Sequence, residues 1–143
     1  MNPFNGPHQF AVSKIEPKTL ELTIPYIRKN KNHLNGIHAC ALATACEYIS
    51  GLSLTRHLSI DEYRIILKDI QMTYHYQAKM EATIRYSLPD EEIENLKKVL
   101  STEDATFRWY TVEIYDRNQH HICTGKIHWQ IKPWSKTKVK LEG

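Results

Sequence analysis

The longest apolar stretch of the chain follows the turn-forming pair Asn35-Gly36 and runs from Ile37 to Ile49. An Asn-Gly pair before such a stretch and the Ser50-Gly51 pair after it are typical start and stop signals of a helix. Apolar residues, most of them alanine or cysteine, occupy nearly every face of the predicted helix. Because a helix that is apolar all round is a buried one, the pattern predicts that the rest of the chain wraps around this segment.

Alternation of apolar and polar residues predicts strands on both sides of the helix. The predicted strands cover residues 18–27 before the helix and residues 63–76, 80–88, 106–115 and 123–132 after it. Pro25 predicts that the first strand ends at a sheet edge or at a bulge, and Lys68 is an exception among the apolar positions of the long strand. Residues 1–17 are expected to form an irregular lead-in, with a short helical turn near residues 9–14.

A second helix and a hairpin complete the predicted elements. Residues 91–100 place apolar side chains at helical spacing behind a cluster of acids, and Asp116-Arg-Asn-Gln predicts a hairpin turn. One helix with one strand before it and at least four antiparallel strands after it is the order of an α+β hot-dog fold, in which a sheet curls around one long helix. The alternative is an α+β sandwich with both helices on one face of the sheet. A chain of 143 residues predicts a single domain, 1–143.

Composition narrows the classes of function. Hydrophobic residues make up 41% of the chain and charged residues 24%, which is typical of a soluble globular protein. A net charge of +3 falls far short of the basic stripe of a nucleic-acid binder. No apolar run reaches the roughly 18 residues of a membrane span, and the N-terminus lacks the regions of a signal peptide. Cys40, Cys46 and Cys123 are expected to be reduced, buried thiols of a cytoplasmic protein.

Glu47 is the single acidic residue of the apolar helix. A buried carboxylate requires hydrogen-bond partners, water or protonation. Glu47 is therefore either a structural residue bonded to a backbone donor or a basic side chain, or a general base or nucleophile whose pKa is tuned by burial. Thr44 lies one turn earlier on the same face and is expected to be its hydroxyl neighbour.

The helix entrance is a second candidate for chemistry. His38 is either a structural residue that bonds to the loop backbone or part of a site. The N–H groups of Ala39 and Cys40, together with the helix dipole, would favour a carbonyl oxygen that gains negative charge. Nine positions, or roughly 13 Å of helix, separate His38 from Glu47. If both are catalytic, the site needs a second chain packed antiparallel, which predicts a homodimer with composite sites.

Other chemical motifs are absent from the sequence. His38-Ala-Cys40 and His120-His121 lack a second set of ligands at zinc-like spacing. The zinc-deaminase signature, the P-loop, the dinucleotide fingerprint and the Gly-x-Ser-x-Gly elbow are missing. We therefore expect no metal site and no cofactor.

At these residues the sequence resembles the hot-dog thioesterases, and most closely the YiiD C-terminal-like thioesterases, which are related to the phenylacetate-pathway (PaaI-type) acyl-CoA thioesterases. The matching residues are Asn32-His33, Asn35-Gly36, His38-Ala39 and the acid nine positions after the histidine, Glu47. The order of the downstream elements also fits over residues 18–132. The sequence departs from the PaaI-type pattern, which has His-Gly-Gly and Asp where this chain has His38-Ala-Cys40 and Glu47.

The resemblance implies an acyl-CoA thioesterase that hydrolyses a thioester of CoA or acyl carrier protein as a homodimer or a dimer of dimers. It places the water-activating or nucleophilic role on Glu47 and carbonyl polarisation on the Ala39 N–H, with His38 shaping the pocket. The implied substrate-binding residues are Asn32, Asn35, Gly36, Cys40 and Thr44. The alternative is a hot-dog module that binds an acyl group without turnover.

Basic residues near this stretch suggest a place for the phosphates of CoA. Arg28, Lys29 and Lys31 precede the Asn32 turn, and Arg56 and His57 follow the helix. The alternative is that both clusters are solvated loop charges.

Overall fold

The computed structural model describes residues 3–136, so residues 1–2 and 137–143 of the predicted domain lie outside the described residues. It contains two helices and six strands: β1 (Ala11–Glu16), β2 (Thr19–Ile24), α1 (Ala39–Thr55), β3 (Tyr63–Tyr74), β4 (Ala82–Tyr86), α2 (Asp90–Thr102), β5 (Thr106–Asp116) and β6 (His121–Pro133). Short 3-10 turns cover Gly6–His8, Arg28–Asn30 and Trp134–Lys136. The predicted central helix, the second helix and the five predicted strands are all present.

The six strands form one antiparallel sheet in the order β1-β2-β4-β5-β6-β3. The sheet curls around α1, which contacts β2, β3, β4, β5 and β6. This arrangement confirms the hot-dog fold. The core lies between them, where fully buried side chains of the helix meet those of the strands: Ala45, Cys46, Ile49, Leu22, Ile24, Ile84, Val112, Ile114 and Ile127.

The central helix is longer than the sequence pattern predicts. It continues through Gly51 and ends at Thr55. Ser53 and Leu54 are buried, with 4% and 0% of their surface exposed, so the last turn is held by packing. Gly51 does not stop the helix because tertiary contact overrides its weak helix propensity.

The expectation that α1 is buried on nearly every face is wrong. Its sheet-facing side is buried, but a stripe along the helix is only half-buried: Ala43, Thr44, Glu47, Tyr48, Gly51, Leu52 and Thr55. The sheet covers one side of the helix and leaves this stripe accessible within a single chain.

The N-terminal segment also differs from the prediction. Residues 11–16 form β1 rather than a helical turn, and the turn that does occur is Gly6–His8. β1 pairs with β2 from Ala11 opposite Thr23 onwards, so β2 is not an edge strand. Most β1 side chains are exposed, which explains why its sequence carries so little apolar alternation. Pro25 immediately follows β2 and ends it.

A bulge explains the exceptional Lys68. The pairing of β3 with β6 shifts between Leu67 and Asp69, so Lys68 is the extra residue and the side-chain alternation changes phase there. Leu67 pairs with Trp129 and Ile70 pairs with Ile127, so both face the inner side of the sheet.

Candidate functional site

A tight turn, Asn32 to Gly36, delivers the chain to the start of α1. The Asn32 side-chain oxygen accepts the backbone N–H groups of Leu34 at 2.9 Å and Gly36 at 3.0 Å. Asn35 takes a left-handed conformation with φ 62°, which asparagine tolerates better than most residues. Asn32 and Asn35 thus build the turn, and their roles toward a substrate stay predictions.

Asn30 holds the chain just before this turn, and sequence reasoning missed it. Its side chain is fully buried. The amide nitrogen donates to the carbonyl oxygens of His8 at 2.9 Å and Pro25 at 3.0 Å, and its backbone oxygen accepts the His38 N–H at 2.7 Å. Asn30 therefore anchors the helix entrance to the N-terminal segment. An asparagine inside a basic loop gives no local signal for such a role.

His38 is the N-cap of α1. Its Nδ1 accepts the Cys40 N–H at 3.0 Å, which requires the ring proton to lie on Nε2. The expectation that Cys40 has a free N–H is therefore wrong. The Ala39 N–H, by contrast, has no acceptor among residues 3–136. It is exposed at the positive end of the helix dipole.

Glu47 lies half-buried on the accessible stripe of α1. Within the described part of the chain, its carboxylate has neither a hydrogen bond nor an ion pair. Burial raises the pKa of Glu47 above its ordinary value of 4.5. The Thr44 hydroxyl is on the same stripe but donates to the Cys40 carbonyl at 2.7 Å. The described residues thus include no hydrogen-bond or ion-pair partner that would give Glu47 a purely structural role.

A groove of about 400 Å³ begins at Glu47, and we call it the Glu47 groove. The second half of α1 forms one side, and the start of β3 and two tryptophans form the others. Its lining residues are Glu47, Tyr48, Gly51, Leu52, Thr55, Ile60, Tyr63, Arg64, Ile65, Trp129 and Trp134. Most of these side chains are aromatic or aliphatic, so the carboxylate faces an apolar surface.

A second groove of about 390 Å³ lies at the start of α1, and we call it the entrance groove. It is lined by Asn32, Leu34, Ile37, Ala39, Leu42, Tyr74, His75, Tyr76, Gln77 and Ala78. The Tyr74 hydroxyl donates to the Ala39 carbonyl at 3.0 Å, which ties the end of β3 to the first turn of the helix. Tyr74 was not among the predicted site residues.

The two grooves lie at opposite ends of both α1 and β3. The Glu47 groove contains Tyr63 and Ile65 from the start of β3, and the entrance groove contains Tyr74 from its end. One chain therefore does not bring Glu47 and the Ala39 N–H together. His38, Ala39, Cys40 and the Asn32 turn cluster at the entrance, while Thr44 lies between the entrance and Glu47.

The Glu47 groove itself was not foreseen from the sequence. Trp129 comes from β6 and Trp134 from the last 3-10 turn, more than 80 residues after Glu47 in the chain. Trp129 sits at an inward-facing position of a predicted strand, which the alternation pattern signals. No local pattern indicates that Trp134 folds back onto the helix.

The described residues contain neither a cluster of metal-ligand side chains nor a helix of membrane-spanning character. Within residues 3–136, no group of three or more His, Cys, Asp or Glu side chains could hold a metal ion. No described helix combines the length and hydropathy of a membrane span. All three cysteines are free, but Cys40 is exposed, contrary to the expectation of buried thiols.

The domain of unknown function DUF4442 matches residues 1–131. The chain belongs to the DUF4442 family. The resemblance to the hot-dog thioesterases is thereby confirmed at the level of family and fold, because DUF4442 is thioesterase-like. No curated protein matches this DUF4442 chain in sequence.

Solved structures with the same fold include a protein of unknown function from Pseudomonas aeruginosa described as a probable thioesterase. It is 20% identical with a TM-score of 0.81, over 91% of this chain and 87% of that one. A thioesterase from Haemophilus influenzae is 12% identical with a TM-score of 0.73, over 99% and 88%. A protein of unknown function from Chlorobaculum tepidum is 15% identical with a TM-score of 0.76, over 92% and 86%. At these identities the likeness shows the fold.

The raised pKa of Glu47 predicts a pH-dependent gain of stability in Glu47→Gln. The native state binds this proton more tightly than the unfolded state, so the wild-type free energy of unfolding falls as pH rises from below 4.5 through the raised native pKa. Glutamine does not titrate. We expect Glu47→Gln to be the more stable protein at neutral pH, with the difference shrinking in acid, as measured by urea unfolding across pH.

Glu94→Gln, the same change on an exposed position of α2, is the control and should show no such pH-dependent gain. A Glu47→Gln protein that is less stable than wild type at neutral pH would show that the carboxylate has a stabilising partner.

Proposed function

We propose that this DUF4442 protein is a thioesterase that hydrolyses an acyl thioester of CoA or acyl carrier protein at a dimer interface. The observation that carries the proposal is the Glu47 carboxylate, which is unpartnered among the described residues and stands at the end of an apolar groove with a raised pKa. A carboxylate that makes no structural contact and is partly desolvated is suited to act as a general base.

The proposed chemistry uses two groups. The Glu47 carboxylate takes a proton from a water molecule, whose oxygen attacks the thioester carbonyl carbon. The carbonyl oxygen gains negative charge, which the free N–H of Ala39 at the helix N-terminus would stabilise. Collapse of the tetrahedral intermediate breaks the carbon–sulfur bond, and the protonated Glu47 returns its proton to the leaving sulfur, which releases the acid and the thiol. Within this scheme, His38 keeps the first helical turn in place by capping Cys40.

A second chain would supply the missing group. β3 is 12 residues long and pairs only with β6 among the described strands, so its outer edge is unpaired. It also exposes Ile66, Leu67, Ile70 and Tyr74, with 38% to 47% of their surface accessible. A long apolar edge is a template for pairing with another strand. The opposite edge, β1, has only six residues.

Two-fold pairing of β3 with the partner's β3 would be antiparallel. The start of β3 in one chain would then lie beside the end of β3 in the other. The Glu47 groove of one chain, which contains Tyr63, would adjoin the entrance groove of the partner, which contains Tyr74. Glu47 and the partner's Ala39 would thus face one thioester, and each dimer would hold two such sites.

Arg28 and Lys29 are the better candidates for the phosphates of CoA. Both are exposed on the 3-10 turn before the Asn32 turn, and neither side chain has a hydrogen-bond or ion-pair partner in the described part of the chain. The Lys31 ammonium lies 3.9 Å from the centre of the Tyr26 ring and is less available.

The cluster after α1 is less suited to phosphates. The Arg56 guanidinium donates to the Pro17 carbonyl at 3.0 Å. Burial lowers the pKa of His57, with a further contribution from the Arg56 charge, so that this imidazole is neutral at neutral pH.

Glu47→Gln tests the catalytic assignment. We expect hydrolysis of a panel of acyl-CoA esters to fall by roughly 10²–10⁴-fold, because the amide cannot accept the proton. The protein should remain folded, as judged by its thermal midpoint on the same sample. Glu94→Gln should retain wild-type turnover. A folded Glu47→Gln protein with full activity would falsify the role, and a wild-type protein that binds acyl-CoA without turnover would favour the acyl-binding module instead.

Ile70→Glu tests the composite site. A charge on the inner face of β3 would be buried by a partner strand, so we expect a monomer by light scattering at micromolar concentration, with native circular dichroism and little hydrolysis. Ile15→Glu makes the same change at a similarly exposed position of β1 and should leave a dimer. A wild-type monomer, or a fully active Ile70→Glu monomer, would contradict the proposed dimer.

Neutralising Arg28 and Lys29 tests whether these side chains bind the phosphates of CoA. If their charges hold CoA phosphates, the double substitution Arg28→Gln and Lys29→Gln should raise KM with little change in kcat, the pattern of lost ground-state binding. Lys97→Gln with Lys98→Gln, on the exposed side of α2, is the matched control. An unchanged KM for acyl-CoA would reject this phosphate site.

A further inference from the structure

The Glu47 groove continues beyond the carboxylate along the second half of α1. On the helix its lining runs from Tyr48 through Gly51 and Leu52 to Thr55. Each helical residue adds about 1.5 Å, so the stretch from Glu47 to Thr55 spans roughly 12 Å. With carbon–carbon bonds of about 1.5 Å at tetrahedral angles, an extended hydrocarbon chain advances about 1.25 Å per carbon, so this length holds about ten carbons.

The floor of the groove is an indole ring fixed in place. Trp129 is 4% exposed, and its Nε1 donates to the Ser50 hydroxyl at 3.0 Å. The Ser50 hydroxyl in turn donates to the Cys46 carbonyl at 2.9 Å, and Ser50 is fully buried. This chain of hydrogen bonds ties the ring to the helix one turn from Glu47, so the floor does not yield easily.

Gly51 sets how close the ring and the helix lie. A Cβ atom added to Gly51 would be 3.0 Å from Cη2 and 3.1 Å from Cζ2 of Trp129, closer than ordinary van der Waals contact. A glycine inside a helix costs about 1 kcal/mol relative to alanine. A side chain here would therefore press on the indole that forms the floor, half-way along the groove.

Trp134 forms the end of the Glu47 groove that lies farthest from the carboxylate. Its Nε1 donates to the Ile60 carbonyl at 2.8 Å, and its backbone N–H donates to the Glu62 carbonyl at 3.0 Å. Both partners lie in the loop after α1, beyond Thr55. The ring and the Ile60 side chain therefore stand where a chain running along the helix from Glu47 would end.

Two polar side chains of the groove form hydrogen bonds within the protein. The Thr55 hydroxyl donates to the Leu52 carbonyl at 3.0 Å, and the Arg64 guanidinium donates through Nη2 to the Gln130 side chain at 3.3 Å. The Arg64 Nε is buried without a hydrogen-bond partner among the described residues, and most of the remaining lining beyond Glu47 is apolar.

We propose that the Glu47 groove binds the acyl chain of the substrate and that Gly51 and Trp134 limit its length. The preferred substrate class is then thioesters of unbranched aliphatic acyl groups of about eight to ten carbons, set by the length along the helix. This inference rests on the proposed function, because Glu47 then meets the thioester at the open end.

Chain length is the first measurement. A buried methylene tightens binding about fourfold. The kcat/KM of the wild type should therefore rise by up to this factor per carbon from butyryl-CoA to octanoyl-CoA and then level off or fall toward palmitoyl-CoA. A profile that is flat over this series, or a preference for phenylacetyl-CoA over octanoyl-CoA, overturns the inference.

Two variants should move the profile in opposite directions. Gly51→Leu crowds the indole in the middle of the groove and should lower kcat/KM for octanoyl-CoA relative to butyryl-CoA about fifteenfold, the effect of losing two buried methylenes. Trp134→Ala removes the end wall of the groove. It should raise kcat/KM for myristoyl-CoA relative to octanoyl-CoA by a similar factor. Trp109→Ala removes an exposed tryptophan outside the groove and should leave the profile unchanged.

Binding separates this inference from the proposed function. Calorimetric titration of the same acyl-CoA series into Glu47→Gln reports chain length without turnover. Length-dependent binding that Gly51→Leu and Trp134→Ala shift, in a protein without hydrolysis, would reject the thioesterase and retain the acyl groove. Hydrolysis whose length profile both folded variants leave unchanged would retain the thioesterase and reject the groove. If Gly51→Leu does not fold, Trp134→Ala alone decides.

Discussion

The close approach of the sheet to helix α1 is the constraint on which the rest of the structure depends. A Cβ atom added to Gly125 of β6 would come within 2.8 Å of the Cys46 sulfur and 3.0 Å of the Met72 sulfur. Such contact is possible because the helix presents alanine and cysteine to the sheet. Small side chains let the strands curl around the helix at short range, and well-packed interiors tolerate little added volume at such places.

The same constraint accounts for the position of Glu47. A sheet that curls tightly around one side of α1 leaves a half-buried stripe on the other. A carboxylate on the sheet-facing side would be desolvated without compensation, whereas on this stripe it keeps part of its hydration. The intermediate burial raises the pKa of Glu47, and a pKa moved toward the working pH is what a general base requires. In the proposed dimer, the partner would cover the stripe further and strengthen this effect.

Most of the fold could be predicted because periodicity and burial agree along the chain. Alternation identified β2 to β6, and Glu47 and Ala39 stood out by chemistry and by family resemblance. The errors have physical causes. Gly51 resembles a helix stop locally, but a contact with Trp129, 78 residues later in the chain, keeps the helix intact. β1 escaped notice because an exposed edge strand needs little apolar alternation.

What sequence reasoning missed lies between elements rather than within them. Asn30, Tyr74, Trp129 and Trp134 each act through contacts with residues distant in the chain. Alternation signals that Trp129 faces inward, but a single sequence holds no local signal for the contacts themselves. Glu47 and the Ala39 N–H, in contrast, lie on one helix, and helix geometry alone sets their separation along the axis at roughly 12 Å. No rearrangement within a chain can shorten that distance while α1 remains straight. If both groups act on one carbonyl, assembly is therefore a requirement of the chemistry, and the unpaired apolar edge of β3 is the part of the described surface best suited to meet it.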